Sequence, residues 1–436
     1  VPRLGYSGTG YLSGLNAENG STLELEADIP ATQHYDITVV LGADTPSTCR
    51  ILANGEPVYT LKAEENENFV RATVQGIFLS KGKCKLEIEP VSGIVDIDCV
   101  ELVNNTSLYD EDAAISQTPV NPHASASAKA LLKFLADSYG RKIVTGQYVS
   151  DSTNRELEQI YQVTGAYPLI RFADMQNYSR NGGNAAQATA VEDSLAWAQE
   201  GGIAGLSWYW NAPAGNASIY AKDTTFDLSA AVTDKDIATA TDAQLSQMAA
   251  SGEISEGCYA MIQDIDAVSE QLKKLADADV PVLWRPLMEA GGDWFWWGAS
   301  GADAYRWLWE LMYTRMTEYH QLNNLLWIWN GQSSSYQVDK SQYDIASLDV
   351  YVKDKTEAYG SRYEQYVALR NMTGGKLLAL SECSTVPDMN AMFRDNAVWS
   401  FFGLWYAPYL GEYTSNDALL SVYHSEGALV RGDYQP

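Results

Sequence analysis

The stretch Val282-Leu283-Trp284-Arg285-Pro286-Leu287-Met288-Glu289 runs, after one alanine, into Gly291-Gly292-Asp293-Trp294-Phe295-Trp296-Trp297-Gly298. Its first half is a short apolar run of strand length that ends on a carboxylate, and its second is a Gly-bounded loop dense in large aromatics. Flat indole rings beside an acid suit a sugar: ring faces cover the apolar C–H surfaces of a pyranose, and the acid can protonate a glycosidic oxygen. One glutamate among 56 acidic residues would ordinarily be a solvated charge, and the loop could be plain hydrophobic packing. The crowding of indoles directly behind a strand favours a site.

Outward from this strand, the chain from 122 on alternates amphipathic stretches, such as 127–138 and 264–278, with short apolar runs. The runs are Ile143-Val144-Thr145-Gly146, Tyr167-Pro168-Leu169-Ile170, 203–208, 280–287, 325–330, 345–351, 376–380 and 400–405. Eight such runs with helical spacers give the count of a closed (β/α)8 TIM barrel. The first hundred residues read differently. Thr22-Leu23-Glu24-Leu25-Glu26-Ala27, Tyr35-Asp36-Ile37-Thr38-Val39-Val40, Arg50-Ile51-Leu52-Ala53 and Lys85-Leu86-Glu87-Ile88-Glu89 alternate at period two between Asn54-Gly55 and Gly93 turns, the pattern of an antiparallel β-sandwich. The expected multidomain organisation is a β-sandwich over 1–105, a linker rich in Asn, Ser, Thr, Pro and acidic residues over 106–121, and the barrel over 122–436.

In such a barrel the active site lies at the C-terminal ends of the strands. The runs end at Gly146-Gln147, Asp174, Trp208-Tyr209-Trp210-Asn211, Glu289, Trp329-Asn330, Asp349-Val350-Tyr351, Glu382 and Trp405-Tyr406. Two ends carry Glu, on the fourth and seventh runs, which face each other across the ring. Two carboxyls about 5 to 5.5 Å apart serve a retaining glycosidase and about 6.5 to 9.5 Å an inverting one; the plain alternative for Glu382 is a rim carboxylate in a salt bridge. Tyr351 could donate its hydroxyl to the nucleophile, and Arg285, on the strand of Glu289, would add positive charge nearby. Either could equally be packing.

Composition removes several classes. A net charge of −27 and a pI near 4.4 speak against nucleic acid, because phosphate binding needs basic patches. No stretch approaches the roughly 18 apolar residues of a membrane span. The 13 Trp and 27 Tyr against 9 Phe favour rings with a polar edge, and none of the Trp falls in the first hundred residues. Cys49, Cys84, Cys99, Cys258 and Cys383 form no CxxC pair and read as buried thiols. The start carries no charged segment followed by an apolar one, so a secretion signal has been removed or was never there. A secreted or cell-surface protein, acting as a monomer on a neutral polysaccharide, fits these limits; no phosphate loop, nucleotide motif or metal cluster suggests a cofactor for catalysis.

Taken together, TGQ at 145–147, SWYWNAP at 207–213, WRPLMEAGGDWFWWG at 284–298, WIWNGQ at 327–332, DVY at 349–351 and the Glu of LALSECS around Glu382 resemble glycoside hydrolase family 26, over about 122–436. Most members of that family are β-mannanases with a retaining mechanism. The resemblance implies Glu289 as acid/base, Glu382 as nucleophile, Trp294 and Trp405 as sugar platforms and Tyr351 as hydrogen-bond partner of the nucleophile. Trp208, Tyr209, Trp210, Asn211, Asn330, Asp174 and Arg285 are further substrate-binding candidates, and Trp296 and Trp297 could line outer subsites. Two positions depart from the family: Met288 stands where a His usually precedes the acid/base, and Tyr209 stands where the family has SWH. Neither replacement brings an imidazole, and a thioether cannot donate a hydrogen bond.

The first domain resembles a family 35 carbohydrate-binding module through Gly5-Tyr6-Ser7-Gly8-Thr9-Gly10-Tyr11-Leu12, Tyr35, Asn54-Gly55 and Val95-Asp96-Ile97-Asp98. That likeness implies a structural calcium with Asp98 among its ligands, although the opening strand that supplies others is not in the sequence. The alternative is a sandwich that only supports the barrel. For the whole chain the readings are a retaining endo-β-1,4-mannanase acting on mannan, glucomannan or galactomannan, a related β-glycanase acting on mixed-linkage β-glucan or β-1,3-xylan, or a barrel that binds glycan without cutting it.

Overall fold

The computed structural model describes residues 3–30, 33–105, 115–353, 355 and 360–435. The chain divides into two compact units, Val1–Ala114 with Phe393–Asn396, and Ile115–Met392 with Ala397–Pro436. Most of the expected linker, 106–114, lies outside the described residues.

Among its described residues the first unit holds eight antiparallel strands: β1 (Leu12–Asn16), β2 (Leu23–Ile29), β3 (Gln33–Ala43), β4 (Ser47–Ala53), β5 (Glu56–Ala63), β6 (Val70–Leu79), β7 (Gly82–Ser92) and β8 (Ile94–Asn104). They form two four-stranded sheets, ordered β1-β8-β3-β6 and β2-β7-β4-β5. Period-two alternation sets the burial: along β7, Cys84, Leu86 and Ile88 turn inward while Lys83 and Lys85 turn out. Asn54 and Gly55 both adopt positive φ, 53° and 84°, and close the β4–β5 hairpin, the geometry for which Asn-Gly is favoured because it matches the twist of the flanking strands. Ile37, Val39, Leu41, Ile51, Leu86, Val95 and Ile97 belong to the core of this unit.

In the second unit β10 (Gly146–Tyr148), β11 (Ile170–Asp174), β12 (Ile203–Trp208), β13 (Val282–Pro286), β14 (Leu325–Trp329), β15 (Ile345–Val350), β16 (Leu377–Cys383) and β17 (Phe402–Leu404) pair in parallel and close into a barrel. The first apolar run of the sequence splits. Ile143–Val144 is a separate strand, β9, paired with β18 (Ala428–Leu429), because Thr145 turns its N–H and hydroxyl to the carbonyl of Leu429, and the barrel strand begins only at Gly146. Phe172 fills the barrel interior. A Cβ at Gly205 would lie 2.3 Å from its ring and one at Gly146 2.7 Å, so these two neighbours must lack a side chain. Each fully buried large apolar side chain here stabilises the fold by roughly 1.5 to 3 kcal/mol.

The helices on the barrel's outside begin on side-chain caps. Ser125 accepts from the Ala128 N–H at the start of Ala126–Ser138, and Ser255 from the Cys258 N–H at the start of Glu256–Asp277; each satisfies a donor that the first turn leaves open. What positions the site is the strand ends. β13 stops at Pro286, three residues short of Glu289, and the chain turns sharply with Leu287 at φ 51° and Glu289 at φ 53°. Non-glycine residues in that region cost of order 1 to 3 kcal/mol. Between β15 and β16 the register shifts at Leu348/Asp349, which brings Asp349 opposite Glu382.

Candidate active site

Glu382 sits at the end of β16 and is 3% exposed. Its Oε1 accepts from Arg285 Nη1 at 2.6 Å and from the Tyr209 hydroxyl, and its Oε2 accepts from the Tyr351 hydroxyl at 2.7 Å. Arg285, wholly buried on β13, also donates Nη2 to Asp349 and Nη1 to the Tyr148 hydroxyl at 3.2 Å. A buried guanidinium needs such partners. Burial works against its charge, but Asp349, Tyr148 and Glu382 outweigh it and push its pKa well above the usual arginine value. Asp349 Oδ1 accepts from Ser381 Oγ at 2.7 Å and from Asn330 Nδ2 at 3.0 Å, which fixes the carboxylate that pairs with Arg285.

Glu289 occupies a different environment. Its Oε1 accepts from Gln332 Nε2 at 2.8 Å and its Oε2 from Trp294 Nε1 at 3.1 Å, while its backbone N–H donates to the Asn330 carbonyl at 2.6 Å and to Asn330 Oδ1 at 3.0 Å. Burial first, and the charge of Glu382 second, raise its pKa above the ordinary glutamate value. The ends of β13, β15 and β16 thus bring together two carboxyls. One is wrapped by three side-chain donors, and the other is biased towards holding a proton; unlike environments of this kind separate acid from base roles.

Beside this pair a cavity of about 540 Å³ opens over the ends of β10, β11 and β12, lined by Tyr148, Asp174, Gln176, Tyr209, Tyr220 and Trp405 among others. The two glutamates are not among its lining residues. Asp174 is pushed up to about 7 by burial, against the N–H donors of Tyr209 (2.9 Å) and Gln176 (3.0 Å). Trp294 is 48% exposed and Tyr351 38%. Trp405 is half-buried, stacked on Tyr406 at 4.7 Å between centroids and tilted against Tyr148 at 4.6 Å.

Several sequence candidates lie behind the cleft rather than on it. Trp208 and Trp210 are both fully buried and stack on each other at 4.1 Å between centroids. Their indole N–H groups donate to Ser179 Oγ and Asp264 Oδ2, so neither ring face is left for a sugar. Trp296 and Trp297 are buried as well, with their N–H groups on the carbonyls of Trp210 and Met288. Asn211 is buried between Gln176 and the Asn181 carbonyl. Asn330 and Arg285 are fully buried and act through Glu289, Asp349 and Glu382. Met288 is fully buried too, so the thioether fills space below the turn. Sequence analysis passed over Gln332, Ser381 and Tyr148, although WIWNGQ ends on the first and the other two adjoin quoted strand ends. Asp349 appeared there only as a strand end; its pairing with Arg285 depends on the register shift, which no local pattern reveals.

The match to known proteins follows this geometry. A model of glycosyl hydrolase family 26 matches residues 120–432. The chain belongs to glycoside hydrolase family 26. A mannan endo-1,4-beta-mannosidase of Thermothelomyces thermophilus is 32% identical to this family 26 chain, covering 99% of it and 86% of the relative. Mannan endo-1,4-beta-mannosidase B of a Piromyces species is 30% identical over 99% of this chain and 74% of its own. Among solved structures, a Podospora anserina β-(1,4)-mannanase, a family 26 domain with a family 35 carbohydrate-binding module, superposes with a TM-score of 0.71 at 28% identity, covering 99% of this chain and 94% of that one. The β-mannanase of a symbiotic protist of the termite Reticulitermes speratus, complexed with a gluco-manno-oligosaccharide, gives a TM-score of 0.65 at 27% identity, covering 74% and 99%. The family 26 chain is accordingly a glycoside hydrolase, and enzymes of this family need no cofactor for catalysis.

In the sandwich, Asp98, expected as a calcium ligand, lies on β8. Both oxygens of Asp98 accept from the Ser7 backbone N–H, at 2.9 and 3.0 Å, and Oδ1 also from the Ser7 hydroxyl. Among the described residues no group of three or more His, Cys, Asp or Glu side chains is arranged to hold a metal ion. The Asp98 carboxylate ties down the Gly-rich segment around Ser7. The five cysteines are free thiols, four of them buried.

Proposed function

We propose that this chain is a retaining endo-β-1,4-mannanase in which Glu382 is the nucleophile and Glu289 the acid/base. The observation that carries the reading is the pair of strand-end carboxyls in unlike environments, joined through Arg285 and Asp349, in a chain whose relatives are mannan endo-1,4-beta-mannosidases. Glu289 donates its proton to the glycosidic oxygen as Glu382 attacks the anomeric carbon; in the second half, Glu289 takes a proton from the water that releases the sugar. Trp294 and Trp405 offer ring faces on either side of the cleaved bond, and the cavity under Asp174, Gln176 and Tyr220 accommodates sugar units beyond it. Subsites on both sides of the cleaved bond suit cleavage within a polymer.

The same reading makes the first unit, 1–105, a carbohydrate-binding module, and the protein a secreted monomer. Among the described residues no helix is long and apolar enough to cross a membrane. The second reading, a β-glycanase acting on mixed-linkage β-glucan or β-1,3-xylan, draws on Tyr209 beside the nucleophile and on Met288, buried next to the acid/base, each standing where the family has a histidine. Incubation with glucomannan, galactomannan, lichenan and β-1,3-xylan, followed by sizing of the products, decides between them. Mixed oligosaccharides from the mannans alone are expected, with the first product keeping the β anomer; the α anomer, or cleavage of lichenan alone, overturns the proposal.

A further inference from the structure

The Tyr209 hydroxyl points away from the 540 Å³ cavity that its ring lines and into the nucleophile carboxylate. We infer that Tyr209 is a positioning residue for Glu382: with Arg285 it saturates Oε1, leaving Oε2 as the attacking oxygen. The inference rests on the reading of Glu382 as nucleophile and adds which of its oxygens attacks and what holds the other.

Lone-pair counting carries the argument. A carboxylate oxygen accepts two hydrogen bonds. Oε1 receives two donors, Arg285 Nη1 and the Tyr209 hydroxyl, and is filled; Oε2 receives only the Tyr351 hydroxyl and keeps one lone pair free. The phenol of Tyr209 is held rigidly for this task. Its backbone N–H is anchored on Asp174 Oδ1 at 2.9 Å, and its ring meets Trp405 and Phe295 edge-on at centroid distances of 5.8 and 6.0 Å. Burial and the nearby charge of Glu382 push its own pKa well above the usual tyrosine value, so it remains a donor throughout.

In the first half-reaction the free lone pair of Oε2 forms the bond to the anomeric carbon while the bond from that carbon to the glycosidic oxygen breaks, its electron pair taking the proton of Glu289. The resulting ester carbonyl is Oε1, still held by Tyr209 and Arg285. In the second half a water oxygen bonds to the anomeric carbon, its proton passes to Glu289, and the electron pair of the broken ester bond returns to the carboxylate. Tyr209 neither gains nor loses a proton. Its contribution is to fix the carboxylate and to stabilise charge on Oε1 as the ester forms and breaks.

The test is the rate at which an activated 2-deoxy-2-fluoro manno-oligosaccharide fluoride labels Glu382, followed by mass spectrometry. Labelling of the wild type on Glu382 decides the parent reading by itself: its absence removes the nucleophile assignment, whatever Tyr209 does. Given that label, Tyr209→Phe is expected to slow the labelling step about 10- to 100-fold, the range for a lost hydrogen bond to a charged group, with the affinity for the inhibitor and the unfolding midpoint unchanged. The Tyr209→Phe/Tyr351→Phe pair is expected to be non-additive, because both phenols hold one carboxylate. A wild-type labelling rate in Tyr209→Phe, or loss confined to inhibitor affinity, overturns the inference. Should that variant fail to fold, 3-fluorotyrosine at position 209 keeps the ring and sharpens the donor: a changed labelling rate sustains the assignment and an unchanged one overturns it.

Discussion

Glu24, Glu26 and Asp28 on the sandwich stand more than half exposed and pair with Lys83 and Lys85 at 2.9 Å. At the barrel mouth, Asp349 and Glu382 have buried side chains and share one fully buried arginine. The distances are of the same order, yet the physical meaning differs. Water screens the sandwich pairs and competes for every donor, so each contributes little. At the barrel mouth the carboxyls and their arginine are buried, so a lost partner leaves an uncompensated charge, and charge, proton affinity and position become coupled. These acidic side chains are therefore solvated surface charges in the sandwich and buried, mutually coupled groups at the barrel mouth.

That contrast can be broken most severely at the proposed catalytic pair. Glu382→Ala is expected to lower kcat by more than about 10⁴-fold, and Glu289→Ala by about 10² to 10⁴-fold, with circular dichroism and unfolding midpoints close to wild type. Wild-type turnover in either variant would refute the assignment.

A sharper test is the pH dependence of kcat/KM. As the proposed acid/base, Glu289 carries a proton to release the leaving group, and its pKa is raised above the ordinary value of 4.5 by burial and then by the charge of Glu382. The rate is thus expected to hold on the acidic side of this raised pKa and to fall as pH climbs through it, with the basic limb above 4.5. In Glu382→Gln the neighbouring charge is gone, and carbon NMR titration should find Glu289 with a lower pKa than in wild type. A value unchanged there would mean the two carboxyls do not feel each other.

Asp264 offers a structural counterpart away from the pair. It is buried behind the cleft, accepts from Trp210 Nε1 at 2.7 Å and the Arg180 N–H at 2.8 Å, and is pushed up from 3.8 to about 6 by burial. Because the folded state holds this proton more tightly than the unfolded chain, the stability it contributes is complete below 3.8 and is lost as pH rises through about 6. The stability of wild type relative to Asp264→Asn should therefore decline by up to about 3 kcal/mol between acid and neutral pH, measured by urea unfolding at both. A difference independent of pH would refute it. The smallest effect belongs to the sandwich: Lys83→Ala removes two exposed pairs and should leave the unfolding midpoint within error of wild type, whereas a clear loss would erase the contrast between the units.

Much of this was legible along the chain because it is local. Period-two alternation with an Asn-Gly turn marks β4 and β5, and repeated apolar runs between amphipathic stretches mark the barrel; both follow from which face of a strand or helix must leave water. The strand-end rule then singles out Glu289 and Glu382 without any distance being known. Indoles misled the reading in part. Trp208, Trp210, Trp296 and Trp297 carry the same signal in sequence as Trp294 and Trp405, since an aromatic serves a core and a sugar platform equally well, and only packing shows which ring faces are covered.

The sandwich-then-barrel fold class and the placing of Glu289 and Glu382 at strand ends come from the sequence by itself, because hydrophobic period and chain direction are properties of neighbours along the chain. The third dimension alone decided that Tyr209 and Arg285 share Oε1, that Asp349 lies opposite Glu382, and that Asp98 accepts from Ser7. Those partners stand tens to hundreds of residues apart in sequence, and they meet only where barrel closure, a shifted register or sheet pairing brings their polar atoms within hydrogen-bond reach.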